Sequence, residues 1–169
     1  LIWYEKNKKD LPWRTEATPY HVWLSEIMLQ QTRTTAVIPY YERFICEFPS
    51  VSALAEVPDD ALMKLWEGLG YYSRARNLKK AARILMEDYG GRLPDTAEAL
   101  RTLPGIGDYT AGAIASIAFG RPEPAVDGNV LRTVMRFTGC ADDIAAPATK
   151  KRVAEALREI YPSRRDAGN

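Results

Sequence analysis

Apolar side chains recur at helical spacing along almost the whole of this 169-residue chain. No stretch alternates apolar and polar residues for long enough to predict a β-strand. Capping residues, prolines and glycines divide the periodic segments into about nine helices. The sequence therefore predicts an all-α fold.

Local signals place the ends of these helices. Thr18-Pro19 combines an N-cap with a proline in the first turn, and Gly90-Gly91 is typical of a helix end. Pro39 predicts a kink inside one helix. The predicted helices begin at Thr18, run over 34–48, follow Ser50 and Pro58, run over 72–89, follow Thr96, and cover 110–119, 127–137 and 149–161.

Composition excludes several classes of protein. Lysine and arginine number 23 against 22 aspartates and glutamates, so any nucleic-acid binding must come from a local patch. Two cysteines and one histidine are too few for a four-cysteine or histidine-based metal site within the chain. No apolar run approaches the ~20 residues of a membrane span. We expect an intracellular protein with no membrane partner and, because the chain starts at Leu1, a piece of a longer one.

A glycine-containing turn, Leu103-Pro-Gly-Ile-Gly107, lies between two helical segments. Gly105 and Gly107 permit backbone conformations closed to other residues and let an outside group approach the main chain. The helix that follows begins with free N–H groups and a positive dipole end, which suit a phosphate. The small residues around Gly112 predict close packing of that helix on a neighbour. The turn resembles a DNA-gripping helix-hairpin-helix, and the alternative is a plain helix–helix turn.

Two carboxyl groups are candidates for chemistry. Asp127 precedes Gly128-Asn129 and is a good N-cap, whose hydrogen bonds also favour the ionised carboxylate. Glu26 lies among Trp23, Ile27 and other apolar residues, which predicts a raised pKa and a proton available for donation. One neutral and one ionised carboxyl group is the division of labour expected in glycosidic bond cleavage. The alternatives are a structural cap and a surface glutamate.

Longer motifs give the chain a family resemblance. They are the hairpin, Val126-Asp-Gly-Asn129, Trp23-Leu-Ser-Glu-Ile-Met-Leu-Gln-Gln-Thr32, Leu11-Pro-Trp-Arg14 and Gly68-Leu-Gly-Tyr-Tyr-Ser-Arg-Ala-Arg-Asn77. Together they resemble the MutY family of adenine DNA glycosylases, within the helix-hairpin-helix DNA glycosylase superfamily. The resemblance implies a six-helix barrel over 18–124, with the hairpin near 96–119. It assigns 1–17 and 125–169 to part of a second, iron–sulfur helical domain, with a first helix from Leu1 to about Asp10.

The resemblance also implies a reaction. Such enzymes hydrolyse the N-glycosidic bond of adenine opposite 8-oxoguanine or guanine, after base flipping. Glu26 matches the general acid, Asp127 the group that stabilises the sugar cation, and Asn129 a residue that positions Asp127 or the water. Tyr109 stands where bifunctional relatives have a Schiff-base lysine, which predicts a monofunctional hydrolase; packing is the alternative for Tyr109.

The same resemblance predicts contacts with double-stranded DNA. Trp13 and Arg14 form walls of the adenine pocket, Gln31 enters the duplex supported by Thr32, and Tyr71 wedges into the base stack. Arg74 and Arg76 touch phosphates, unless they lie on a solvated face. The full predicted set of DNA or substrate contacts is Trp13, Arg14, Gln30, Gln31, Thr32, Leu69, Tyr71, Arg74, Arg76, Gly105 and Gly107.

Cofactors follow from the resemblance as well. The backbone carbonyls of Arg101, Leu103 and Ile106 match a Na⁺ or K⁺ site in the hairpin. A 4Fe–4S cluster is expected in a longer parent, through cysteines that this chain does not contain. Cys46 and Cys140 are expected to be small buried apolar side chains. We expect a monomer, located in the cytoplasm of a bacterium or in the nucleus or mitochondria of a eukaryote.

Other functions stay open at this point. An endonuclease III-like glycosylase for damaged pyrimidines shares the fold, although Tyr109 and the motif around Glu26 argue against it. A non-catalytic helix-hairpin-helix module would bind DNA with Glu26 and Asp127 in structural roles. A helical interaction domain without a DNA role conflicts with the hairpin.

Overall fold

The computed structural model describes residues 2–160, apart from the side chains of residues 2, 4 and 5. In this part of the chain it contains eleven helices and no strand, which confirms the predicted all-α fold. The helices are α1 (Ile2–Asn7), α2 (Pro12–Thr15), α3 (Pro19–Leu29), α4 (Thr34–Glu47), α5 (Val51–Glu56), α6 (Asp59–Trp66), α7 (Ser73–Asp88), α8 (Ala97–Leu100), α9 (Asp108–Phe119), α10 (Gly128–Thr138) and α11 (Pro147–Ile160). None of the described helices is long and apolar enough to cross a membrane.

Capping explains why three of the helices begin where the sequence predicts. The side chains of Thr18, Ser50 and Thr96 each accept a hydrogen bond from the backbone N–H three residues on, which satisfies one free donor of the first turn. The predictions were wrong at the N-terminal helix, which ends at Asn7, and at the separate helix α2, which they missed. Helices α9 and α11 each begin two residues before their predicted starts. The predicted end of α11 at Tyr161 lies outside the described residues.

Helix α3 is the centre of the main core. It contacts α2, α4, α7 and α9, so it is surrounded by protein rather than presenting one apolar face. Trp23, Leu24 and Met28 are fully buried, and Ile27 is nearly so. A carboxyl group on this helix therefore lies in an unusually apolar place for a glutamate.

Close packing on α9 brings the segment before α10 against the barrel. A methyl group on Gly112 would lie 3.0 Å from the carbonyl oxygen of Pro124 and 3.3 Å from the Cα of Ala125. The prediction that small residues let α9 approach a neighbour is confirmed. This contact fixes the position of Asp127, only two residues beyond Ala125.

Two groups of buried apolar residues divide the described chain. The main core runs from Trp13 to Ala115, and a smaller group of Val126, Leu131 and Val153 joins α10 to α11. Trp13 packs edge-on against Tyr41, with ring centroids 5.2 Å apart, so part of the predicted 1–17 segment packs on the barrel. The three-part domain division stays a prediction, and residues 161–169 lie outside the described residues.

Candidate active site and DNA interface

Glu26 lies on the central helix α3, as the sequence predicted. Burial raises the pKa of its carboxyl group to about 7, against the opposing effect of the Arg14 guanidinium. Removing water from around a carboxylate penalises its charged form, so the neutral acid persists to near neutral pH. Glu26 can therefore hold a proton and donate it under physiological conditions.

Asp127 is fixed at the N-terminus of α10. Its Oδ1 accepts hydrogen bonds from the backbone N–H groups of Asn129, at 2.9 Å, and Val130, at 2.8 Å. Its Oδ2 accepts from Nδ2 of Asn129 at 2.9 Å, and Arg132 donates in turn to Oδ1 of Asn129. Of the two roles open to Asn129, the structure shows contact with Asp127. Both carboxylate oxygens act as acceptors, which suits an ionised group held in one orientation.

The charges of Glu26 and Asp127 both act on the phenol of Tyr109. Burial raises the pKa of the Tyr109 phenol to about 12, and the charges of Glu26 and Asp127 raise it further in that order. Both carboxyl groups must lie near the ring for their charges to act on it. The fold thus places Glu26 and Asp127 within electrostatic range of the tyrosine that the sequence singled out. Tyr109 itself is 39% exposed.

The cavity next to Tyr109 is separate from the two carboxyl groups. It has a volume of about 610 Å³ and is lined by Tyr109, Gly112, Val126 and residues of α11. Neither Glu26 nor Asp127 contributes to its lining. A substrate that contacts both carboxyl groups therefore does not occupy this cavity.

Gln30 ties the helix that carries Glu26 to the hairpin. Its Nε2 donates to the carbonyl oxygen of Gly105 at 3.2 Å and to Oγ1 of Thr110 at 3.3 Å. The contact of Gln30 with DNA stays a prediction, and both of these bonds use the amide nitrogen within the protein. Sequence reasoning missed Thr110, and no local signal could have found a partner eighty residues away.

The hairpin has the backbone geometry that its glycines predict. Gly105 has a φ of +82°, in the region that favours glycine. A methyl group there would lie 3.1 Å from Cβ of Asn77. Gly107 caps α9 with extended backbone and no side chain, and space around it is open. Both glycines are exposed, so their main chain is accessible to a phosphate.

The hairpin carbonyls are compatible with a monovalent cation. No described backbone N–H donates to the oxygens of Arg101 and Ile106, and the oxygen of Leu103 accepts one bond, from Ile106 at 3.2 Å. Each carbonyl oxygen has two lone pairs, so all three retain capacity to bind an ion.

Gln31 and Tyr71 share an unusual backbone. Their φ values of +57° and +47° are the only positive ones among the described residues other than glycine. Both side chains are exposed, Tyr71 by 61%. Such strained positions cluster at ligand-contacting sites. The two residues predicted to enter the duplex are thus the two that the fold holds in a costly conformation.

Arg74 differs from its prediction. It is only 8% exposed, and all its described side-chain hydrogen bonds go to main-chain carbonyls. A guanidinium used in this way is not available to a phosphate, and the predicted contact is wrong for Arg74. Leu69 is buried in the main core, which does not support its predicted contact with DNA. Arg76 is exposed on the same helix as Arg74.

The remaining predicted contacts are Trp13, Arg14 and Thr32. Trp13 is buried, and Arg14 is near enough to Glu26 to act on its charge. Thr32 is half-buried, and its hydroxyl donates to the carbonyl oxygen of Gln30 at 3.3 Å. It thereby stabilises the turn that carries Gln31.

The cysteines correct another expectation. Cys46 is exposed and Cys140 half-buried, so neither is the buried apolar side chain that was predicted. The described residues contain no group of three or more histidines, cysteines or carboxylates that could hold a metal. The part of the chain in the structure therefore does not supply the ligands of an iron–sulfur cluster.

Comparison with known proteins places this arrangement in context. The family described as "HhH-GPD superfamily base excision DNA repair protein" matches residues 24–163. An adenine DNA glycosylase of Buchnera aphidicola is 43% identical over 163 residues, which cover 96% of this chain and 47% of that protein. The human adenine DNA glycosylase is 47% identical over 152 residues, covering 85% of this chain and 28% of that protein. The chain thus spans about half or less of the length of these relatives.

Solved structures agree in fold. A thermostable thymine-DNA glycosylase superimposes with a TM-score of 0.88 at 29% identity, covering 99% of this chain and 78% of that one. An endonuclease III trapped as a covalent intermediate with DNA has a TM-score of 0.80 at 25% identity, with coverage of 99% and 75%. The helical arrangement is therefore shared with a thymine-DNA glycosylase and an endonuclease III.

Proposed function

This chain belongs to the HhH-GPD superfamily of base excision DNA repair proteins, and on that premise we propose that it is the catalytic part of an adenine DNA glycosylase. The proposed substrate is double-stranded DNA in which adenine lies opposite 8-oxoguanine or guanine. The observation that carries the proposal is a Glu26 carboxyl whose pKa burial raises to about 7, together with a capped Asp127, with the charges of both acting on Tyr109. The curated relatives named adenine DNA glycosylase support the choice of base.

Glu26 and Asp127 divide the chemistry between them. With the adenine flipped out of the duplex, Glu26 gives its proton to a ring nitrogen of the base. The N-glycosidic bond then breaks with its electron pair leaving on adenine, and the sugar becomes an oxocarbenium ion that Asp127 stabilises. Water adds to the sugar carbon and returns its proton to Glu26, so the products are adenine and an abasic sugar. The raised pKa of Glu26 supports its role as the acid.

Tyr109 determines the type of reaction. A phenol forms no imine with the sugar, so position 109 provides no lysine for strand cleavage through a covalent intermediate. The proposed enzyme is accordingly monofunctional and leaves an abasic site. Its neighbour Thr110 helps hold α9 to the helix of Glu26 through Gln30.

The proposed DNA contacts are of two kinds: those that bind the phosphate backbone and those that recognise the lesion. Gly105 and Gly107 offer their main chain to a phosphate. The exposed Arg76 adds a positive charge next to Asn77, whose side chain lies against Gly105. Gln31 and Tyr71 are the proposed reading residues, since they are exposed and held in left-handed backbone. Inserted side chains of this kind open a base step and stabilise the gap left by a flipped base.

Further parts of the proposal concern cofactors and setting. Arg101, Leu103 and Ile106 would hold Na⁺ or K⁺, which would strengthen the positive field at the hairpin. A 4Fe–4S cluster would belong to a longer parent and enters no step here. The protein would act as a monomer on DNA inside the cell, in whichever compartment holds that DNA.

Base release from three duplexes tests the proposed substrate. They contain adenine opposite 8-oxoguanine, adenine opposite guanine, and thymine opposite guanine. The proposal expects release of adenine from the first two and no release of thymine from the third. Thymine release, without adenine release, would contradict it and would favour the activity named for the thymine-DNA glycosylase of similar fold.

A further inference from the structure

Arg74 is a buried cation whose two terminal nitrogens both donate to main-chain carbonyls, while its Nε has no hydrogen-bond partner. Its Nη1 donates to the carbonyl oxygens of Ile27, Met28 and Gln30, at 3.2, 2.7 and 2.6 Å. Its Nη2 donates to those of Leu69 and Gly70, at 3.1 and 3.2 Å. A buried guanidinium is costly unless it is well hydrogen-bonded. The two terminal nitrogens of this guanidinium donate to carbonyls that belong to two separate turns.

These two turns are the ones that carry the proposed reading residues. Gln30 directly precedes Gln31, and Gly70 directly precedes Tyr71. Gln31 and Tyr71 both have positive φ, a conformation that persists in residues with side chains only when the surroundings enforce it. One guanidinium group therefore joins the carbonyls immediately before both strained residues.

Further contacts of Arg74 and Trp66 hold the turn that carries Tyr71. The guanidinium carbon of Arg74 lies 5.5 Å from the ring centroids of both Tyr71 and Trp66. The backbone N–H of Arg74 donates to the carbonyl oxygen of Tyr71 at 2.9 Å, and Nε1 of Trp66 donates to that of Gly70 at 3.0 Å. The turn is thus held from its main chain, while the Tyr71 side chain stays 61% exposed.

A lysine would not replace this arrangement. An ammonium group presents three donors from one nitrogen, whereas the guanidinium presents donors from separate nitrogens in a fixed plane. Here Nη1 serves one turn and Nη2 the other. The spacing of the two turns therefore depends on the shape of the side chain as well as on its charge.

We propose that Arg74 is a positioning residue that sets the distance and orientation between Gln31 and Tyr71, so that both enter the DNA as one unit. The role of Gln31 and Tyr71 in recognising the lesion rests on the proposed function, because only DNA bearing the lesion would use both residues together. Arg74 touches no substrate in this scheme. Arg74 affects recognition of the damaged base pair rather than binding of the hairpin to the DNA backbone.

The first test is structural and needs no DNA. Hydrogen exchange would be measured by mass spectrometry over 28–34 and 68–73 in the wild-type chain, Arg74→Met and Lys79→Met. Lys79 is the matched control, since it is a buried cation of the same helix that pairs with Asp59 instead of with the turns. We expect exchange to rise about tenfold or more in both turns of Arg74→Met and to be unchanged there in Lys79→Met. Unchanged exchange in Arg74→Met, or an equal rise in Lys79→Met, would overturn the inference.

The second test measures recognition. Dissociation constants would be compared for a duplex with adenine opposite 8-oxoguanine and for an undamaged duplex. We expect Arg74→Met to reduce the preference for the lesion about 10- to 100-fold, as a misplacement of about 1 Å does, with binding to undamaged DNA unchanged. Lys79→Met should keep the wild-type preference for the lesion even if its melting temperature falls as far as that of Arg74→Met.

A conservative variant separates geometry from charge. Arg74→Lys should lose the preference as Arg74→Met does, and full recovery with lysine would overturn the positioning role. If the wild-type chain itself shows no preference, the proposed function fails and the reading role with it. Hydrogen exchange would then still decide whether Arg74 holds the two turns.

Discussion

Gly112 lies against the carbonyl group of Pro124 so closely that a methyl group on it would be 3.0 Å from the oxygen. Helix α9 therefore touches the segment that leads into Asp127 with no side chain between them. Tyr109 lies one turn earlier on the same helix. This contact sets the position of the carboxylate relative to the tyrosine.

Replacing Gly112 with alanine tests that contact. In an ordinary helix interior the change stabilises by about 0.5–1 kcal/mol. Here we expect the single-turnover rate of adenine release to fall about 10- to 100-fold, because the segment carrying Asp127 must shift. Ser116→Ala, at a buried position further along α9, is the control and should keep the wild-type rate. A more stable Gly112→Ala with full activity would contradict this account.

The pH dependence of activity follows from Glu26. Burial raises its pKa to about 7, so the protonated acid is lost as the pH rises through about 7 and the rate should fall there. Glu26→Gln should lower the rate about 10²- to 10⁴-fold, the usual contribution of a general acid. Glu42→Gln, at an exposed position on α4, is the matched control. A wild-type rate that is flat between pH 6 and 8.5, in single-turnover assays, would exclude Glu26 as the acid.

Stability should depend on pH in the opposite sense to that of a paired carboxylate. The pKa of Glu26 is about 7 in the folded chain against an ordinary value of 4.5, so the folded state binds the proton more tightly. The free energy of unfolding should then decrease as the pH rises from about 4.5 to about 7, by about 3 kcal/mol in total. Glu26→Gln should lack this decrease and be more stable than wild type at pH 8. Urea denaturation of both proteins at pH 5 and 8 measures the difference, and an identical pH dependence would refute the assignment.

Tyr109 gives a prediction about the type of chemistry. Tyr109→Lys places an amine beside the sugar, where it can form an imine that borohydride reduces to a stable protein–DNA adduct. We expect this variant to be trapped more than the wild-type chain in denaturing gels. Tyr109→Phe, which adds no amine, should match the wild type. Equal trapping of all three proteins would show that position 109 does not face the sugar.

Much of this site was open to prediction because its determinants are local. Asp127 caps a helix through N–H groups two and three residues on, and the apolar neighbours of Glu26 on α3 already indicated a raised pKa. The left-handed backbone of Gly105 was likewise predictable, because this glycine lies in a turn between two helices. The pairing of Glu26 with Asp127 was predicted only through the family resemblance, because nothing local links α3 to α10.

The prediction for Arg74 was wrong because the partners of its side chain are distant along the chain. Arg74 follows a serine at the start of a basic helix, a pattern typical of a solvated or phosphate-binding face. It turns inward because the carbonyls that end α3 lie within its reach. Gln30 similarly donates to Gly105 and Thr110. Only the folded chain brings these acceptors near, so spacing along the sequence carried no sign of them.

The central claim is that Glu26 and Asp127 cleave the bond between adenine and its sugar. The most direct test is single-turnover release of adenine from a duplex with adenine opposite 8-oxoguanine, for the wild-type chain and Asp127→Asn. We expect release by the wild type and its loss in Asp127→Asn, with the circular dichroism of both proteins the same. Equal release by the two proteins, or lesion-dependent DNA binding by the wild type without any release of adenine, would contradict it.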